Sequence, residues 1–219
     1  MTALLQATGI TKQFPGTLAL QDAQLELLPG EIHAVIGENG AGKSTLMKIL
    51  SGVYIADTGE IRLEGQPIQP SSPRDALTRG IAIVHQELSN VPTLTVAENI
   101  FAGHLPTNVL GMVKYQQLFN DARQVLDKMN VAVDPRALVE TLSIANRQLI
   151  EITKALSSQC KVLILDEPTS ALTDSEADRL LTLLRRLADD GVGILYISHK
   201  LKEIFALADR VTVLRDGRY

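Results

Sequence analysis

The chain has a single cysteine, Cys160, among 219 residues. No internal disulfide can form, and a small thiol just before an apolar run reads as a buried side chain without chemistry. No apolar stretch approaches the ~18 residues that a bilayer crossing needs. The opening MTALLQATGI has neither a basic leader nor an apolar signal core, so the chain is expected in the cytoplasm. Nor is there a polybasic block. The 21 Lys and Arg and 25 Asp and Glu are interspersed, with a net charge of −4, which argues against gripping nucleic acid or anionic lipid. Internal repeats and low-complexity segments are also missing. What remains is an ordinary globular composition, 45% apolar, on a chain long enough to bury a substantial core.

The first third reads as strands and turns: LLQATGI, then the alternating LALQDAQLELL, then a Pro29-Gly30 turn. A short apolar strand, IHAVIG, follows. After a glycine-rich loop, KSTLMKILSG places Leu46, Ile49 and Leu50 at helical spacing, with Gly52 as the stop. Residues from about 90 to 158 carry helical periodicity in FNDARQVLDKM and QLIEITKAL and read as an inserted helical lobe. From Lys161 strands and helices alternate: VLILD, EADRLLTLLRRLADD, GILYIS, KLKEIFALA, RVTVLRD. Such alternation implies a parallel sheet. Thr173 and Glu176 form a capping box for the helix after VLILD, and Gly191 supplies its left-handed stop. The chain ends at RDGRY directly after a strand, which is expected of a piece of something longer.

The chemistry is concentrated in a few places. Gly37-Glu38-Asn39-Gly40-Ala41-Gly42-Lys43-Ser44-Thr45 fits G-x-x-x-x-G-K-[ST], between a strand and a helix as that motif requires. Glycines at 37, 40 and 42 let successive backbone N–H groups turn inward around phosphates, and the following helix directs its positive end at the same charge. Lys43 can reach terminal phosphates, and the Ser44 hydroxyl is placed to hold a bridging Mg²⁺. In KVLILDE, strand alternation is expected to send Asp166 and Glu167 in different directions, Asp166 toward Mg²⁺ and Glu167 toward the attacking water. His199 follows GILYIS at the same sheet edge, where it can donate to a γ-phosphate and sense its cleavage. His33, His85 and His104 have no such setting and read as structural or solvent-exposed.

Taken together, these segments resemble the ABC ATPase family across essentially the whole chain. GENGAGKST matches the phosphate loop, Gln86 in HQE the Q-loop, LSIANRQ the signature, LILDEP the acidic strand end, SALT the D-loop and His199 the switch. The resemblance implies an α/β P-loop NTPase fold: a RecA-like core with a mostly parallel sheet, an N-terminal antiparallel β subdomain and the inserted helical subdomain. It implies ATP and Mg²⁺ as ligands, Phe14 as the aromatic stacking on adenine, and Gln86 as the residue touching the Mg²⁺ shell and reporting to a membrane partner.

More narrowly, FPG, GENGAGKSTLMK, HQEL, TVAENIF and YISHKLKEI resemble the first half of tandem ATPase subunits that energise bacterial uptake of monosaccharides such as ribose, xylose, arabinose or galactose. That likeness implies transmembrane permease subunits, a periplasmic or extracellular sugar-binding protein, and a peripheral position at the cytoplasmic face of the bacterial cell membrane. An ATPase head serving ribosomes or nucleic acid is the alternative, but it would show basic surface or long inserts. A regulatory module without catalysis is disfavoured by Glu167 and His199.

One departure stands out. The family's L-S-G-G-Q reads Leu142-Ser143-Ile144-Ala145-Asn146 here, so Ile144 puts a β-branched side chain where no side chain is wanted. Ser143 is left as a weak contact for a partner's ATP. The expectation is a second ATPase domain, in the same full-length chain, that supplies an intact signature to the ATP bound here.

Overall fold

The computed structural model describes residues 2–158 and 160–219. In chain order its elements are β1 Leu5–Phe14, β2 Thr17–Leu27, β3 Ile32–Ile36, α1 Lys43–Leu50, β4 Thr58–Leu63, β5 Gln66–Ile68, α2 Pro73–Thr78 and β6 Ile81–Val84. They continue with α3 Val96–Ile100, α4 Tyr115–Lys128, α5 Ile144–Leu156, β7 Val162–Asp166, α6 Asp174–Asp189, β8 Gly193–Ile197, α7 Leu201–Leu207 and β9 Arg210–Val213.

Two compact units emerge. The first comprises residues 1–86, 160–168 and 181–219, and the second 87–159 and 169–180. The second unit thus takes in residues 169–180, which lie outside the helical lobe expected from periodicity alone.

Among the described residues all nine strands belong to the first unit. An antiparallel sheet has the order β2-β1-β4-β5, and a parallel sheet the order β6-β7-β8-β3-β9. One apolar core unites them. Leu5, Ile10, Leu20 and Leu27 from the antiparallel sheet pack with Leu46, Met47, Ile49 and Leu50 of α1 and with Val35, Ile164, Leu195 and Ile197 from one face of the parallel sheet. The positions Leu46, Ile49 and Leu50, spaced as a helical stripe, are all buried in α1, and Met47 is buried beside them. Val162, Leu163, Ile164 and Leu165 of β7 are all fully buried, as a strand covered on both faces requires.

β4, β5 and β6 were not legible as separate strands in the sequence. TGEIRL buries only alternate residues, and IAIV in β6 is a four-residue apolar run too short for periodicity to classify. Tertiary pairing decides both: β4 pairs antiparallel with β1, and Ile81 to Val84 pair parallel with Val162 to Leu165.

In the second unit α4 buries Leu118, Ala122 and Leu126, spaced four apart, and α5 buries Ile150, Ile152 and Ala155. α3 opens on a complete capping box between Thr95 and Glu98. At α6, Thr173 N–H and Oγ1 both donate to Glu176 Oε2, at 3.0 and 2.7 Å, and Gly191 follows the helix with φ 96°. The glutamate half of the expected capping box and the glycine stop are in place. His33 is buried, with Nδ1 3.0 Å from Glu31 Oε1 and Nε2 2.7 Å from Thr212 Oγ1, while His85 and His104 are exposed. None of the helices is long and apolar enough to cross a membrane among the described residues.

Candidate functional site

The glycine-rich loop joins β3 to α1, and its shape is set by close backbone approaches. A Cβ at Gly37 would lie 2.2 Å from Leu214 O, and one at Gly42 would lie 2.7 Å from both Ala19 O and Leu20 Cδ2. Gly42, at φ 100°, is also the N-cap of α1 and accepts from Leu46 N–H at 2.9 Å. No L side chain fits that conformation and that space together. The loop is therefore pressed against β2 and the segment after β9, and its N–H groups and the start of α1 are left to face a ligand.

Lys43, the first residue of α1, donates from Nζ to Gly37 O at 2.6 Å and Glu38 O at 3.0 Å. The ammonium thus lies across the mouth of the loop. A cavity of about 370 Å³ opens there, lined by Ala19, Asn39, Gly40, Ala41, Gly42, Lys43, Ser44, Thr45, Gln86, Asp166 and Glu167. The parallel sheet assembles it. β3 delivers the cradle, β6 delivers Gln86 just beyond Val84, and β7 delivers Asp166 and Glu167, all from carboxyl ends of strands of one sheet, with β8 between β7 and β3, where open α/β sheets collect their ligands.

The two acids differ from the expectation in one respect. β7 ends at Asp166, and Glu167 adopts φ 47°, with its N–H donating to Ile197 O at 2.9 Å. A left-handed turn, rather than strand alternation, sets the second carboxylate, and both acids line the same cavity. Glu167 Oε1 lies 3.1 Å from His199 Nδ1, so the histidine enters the site through the glutamate. Burial first, then the neighbouring Glu167 carboxylate, push the Asp166 carboxyl above its usual range, against the pull of His85, Lys43 and Lys48. The Ser44 hydroxyl, the Gln86 amide oxygen and the Asp166 carboxylate, beside a phosphate-shaped cradle, are the donor set that a hard divalent cation takes. The residues present fit Mg²⁺.

The structure does not bring every expected residue into this cavity. Phe14 is absent from its lining, and its ring packs edge-on against Tyr54 with centroids 5.2 Å apart and Lys12 Nζ 5.6 Å from its centre. Ser143 lies in the second unit, where its Oγ accepts from Asn146 N–H as the N-cap of α5. Ile144, the first residue of that helix, is 51% exposed. Ala19 was missed: an alanine inside a strand gives no sequence signal, and only the pressing of β2 on Gly42 places it at the cavity.

Known proteins resemble the chain in sequence and in fold. The ABC transporter family model matches residues 20–170. The ribose import ATP-binding protein of Rubrobacter xylanophilus is 50% identical over 218 residues, which are 100% of this chain and 44% of that protein. A protein of Agrobacterium fabrum, named for ribose, galactose or methyl galactoside import, is 50% identical over 216 residues, covering 99% of this chain and 42% of its own length. The chain thus spans less than half the length of the curated relatives it matches. A solved nucleotide-free ATP-binding cassette from an ABC transporter superposes with a TM-score of 0.87 at 25% identity, covering 99% of this chain and 89% of the other. With the glycine cradle and the acidic strand end both inside the matched span, the chain belongs to the ABC transporter family as one of its ATP-binding domains.

Proposed function

We propose that this chain binds Mg-ATP at the β3–α1 cradle and hydrolyses it to power a membrane importer for a monosaccharide such as ribose. The observation that carries the reading is the convergence of Lys43, Ser44, Gln86, Asp166 and Glu167 on one cavity. Backbone N–H groups from Gly40 to Lys43 and the N-terminus of α1 receive the β- and γ-phosphates, and the Lys43 ammonium leaves its two carbonyl partners for them. Ser44, Asp166 and Gln86 would hold Mg²⁺, which supplies charge neutralisation of the phosphates. Phe14 would stack on the adenine from outside the phosphate cavity.

Glu167 then polarises a water for in-line attack on the γ-phosphorus, and His199 holds that carboxylate in position. The left-handed turn at Glu167 fixes where the base stands. Lys43→Ala tests the cradle by nucleotide affinity, and Glu167→Gln tests the base by turnover at retained affinity. Undiminished binding in the first variant removes the cradle reading.

The working assembly in this proposal is a longer chain with a second ATPase domain, docked on transmembrane permease subunits at the cytoplasmic face, with a sugar-binding protein outside. The exposed Ile144 at the start of α5 favours an asymmetric pair, because its branched side chain crowds the N–H groups that a partner's γ-phosphate would need. This chain alone then binds Mg-ATP but turns it over slowly, and joining it to the second domain accelerates hydrolysis. Equal rates in the two forms would refute the asymmetry.

A further inference from the structure

The loop between α3 and α4 is built in a way the ATPase chemistry does not use. Val109 is 102% exposed, Leu110 78% and Met112 58%, so three apolar side chains stand in water at one loop tip. The tip is a closed, self-bonded turn. Asn108 Oδ1 accepts from Leu110 N–H at 2.9 Å and from Met112 N–H at 3.0 Å, Asn108 N–H donates to Met112 O at 2.9 Å, and Gly111 N–H donates to Asn108 O at 3.0 Å. Thr107 and Val113 form an antiparallel bridge at its base, and Lys114 N–H donates to Pro106 O at 2.8 Å.

Exposed apolar side chains of this kind mark a contact with another apolar body. The backbone bonding narrows which one. A loop that enters hydrocarbon must satisfy its own N–H groups, because lipid tails cannot, and here the turn satisfies four of the five from Asn108 to Met112, all but that of Val109. Charge points the same way. No Asp or Glu occurs from Asn99 to Asn120 in a chain that has 25 of them. Lys114 at the foot of the tip is exposed and makes no ion pair among the described residues. The carboxylate bordering the segment, Glu98, is engaged by Thr95 N–H and Oγ1 and by Tyr115 Oη. Tyr115, 50% exposed, adds an amphipathic ring of the type that settles at headgroup depth. The acid-free segment is a local exception to the interspersed charge of the whole chain.

We infer that the Asn108–Met112 tip dips into the surface of a lipid bilayer, with Val109, Leu110 and Met112 among the acyl chains and Lys114 at the anionic headgroups. The contact goes beyond the import reading and requires no permease.

Sedimentation of the 219-residue chain with vesicles of 3:1 phosphatidylcholine and phosphatidylglycerol tests it, with Val109→Asp/Leu110→Asp and Lys114→Glu as variants and thermal melting as the check on folding. The expected result is binding by the unaltered chain, loss of at least about tenfold in partitioning for the double variant, and a drop of about fivefold for Lys114→Glu that vanishes on pure phosphatidylcholine. Absence of vesicle binding, or binding that the folded double variant retains, overturns the proposal, as does a double variant that loses only stimulation by a permease. Nucleotide turnover reads the cradle separately, so failure of one reading is distinguishable from failure of the other.

Discussion

His199 Nδ1 lies 3.1 Å from Glu167 Oε1. When Nδ1 donates its proton to the glutamate, the neutral ring has only a lone pair at Nε2, so His199 can also donate to a γ-phosphate only as the imidazolium. The pair therefore offers a base held by a cation, or a base held by a neutral ring that no longer reaches the phosphate as a donor.

Glu167→Gln keeps the shape of the side chain and removes the base. Turnover is expected to fall by about 10² to 10⁴ with Mg-ATP affinity unchanged, as steady-state phosphate release and equilibrium nucleotide titration will read. His199→Ala should lower turnover by a similar order through loss of the glutamate's partner. A His199→Ala rate near that of the unaltered chain would separate the histidine from the chemistry.

Gly42→Ala and Gly40→Ala distinguish packing from backbone conformation. A Cβ at Gly42 meets Ala19 O and Leu20 Cδ2 at 2.7 Å, whereas one at Gly40 meets nothing within 4 Å, and both residues have positive φ. Gly40→Ala should cost about 1 kcal/mol, and Gly42→Ala at least about 2 kcal/mol together with nucleotide binding. Denaturant titration of the nucleotide-free protein orders the two.

Asp166 gives a pH dependence with a definite sign. Its carboxyl is raised above the usual range by burial and by Glu167, so the native state holds that proton more tightly than the unfolded chain does. The stabilisation is full below the unfolded value and is lost as pH rises through the folded one. Asp166→Asn should therefore melt higher than the unaltered chain at pH 7 without nucleotide, with the difference shrinking as pH falls through the carboxylate range. The same variant should lose the extra stability that Mg²⁺ and ATP confer together. Melting curves from pH 4 to 7 check both.

Cys160 is predicted to be inert. Burial pushes its thiol up to about 12, and its Sγ sits 3.1 Å from Val162 O as a donor. Little thiolate exists at pH 8, so iodoacetamide should label the folded protein far more slowly than the protein unfolded in guanidinium. Equal rates would contradict the burial.

The local devices were readable from the residues alone because each depends on a few neighbours in the chain. The cradle needs glycines at fixed offsets before Lys43, the α6 start needs Thr173 and Glu176 three apart, and the stripe of α1 needs Leu46, Ile49 and Leu50 at helical spacing. β6 was not readable, since IAIV has no periodicity of its own and becomes a strand only by pairing with β7. The family resemblance implies Phe14 as an adenine contact, and the tertiary structure adds that Tyr54 packs against its ring.

Sequence by itself determined which groups could bind phosphate, magnesium and water, because that chemistry belongs to residue types at short spacings. The tertiary structure decided that β3, β6 and β7 release Lys43, Gln86 and Asp166 into one cavity, and that the left-handed turn at Glu167 brings its carboxylate to His199. The order β6-β7-β8-β3-β9 joins segments far apart in the chain, and no local pattern encodes such pairings. They follow from burying both faces of the central strands β3, β7 and β8 at once.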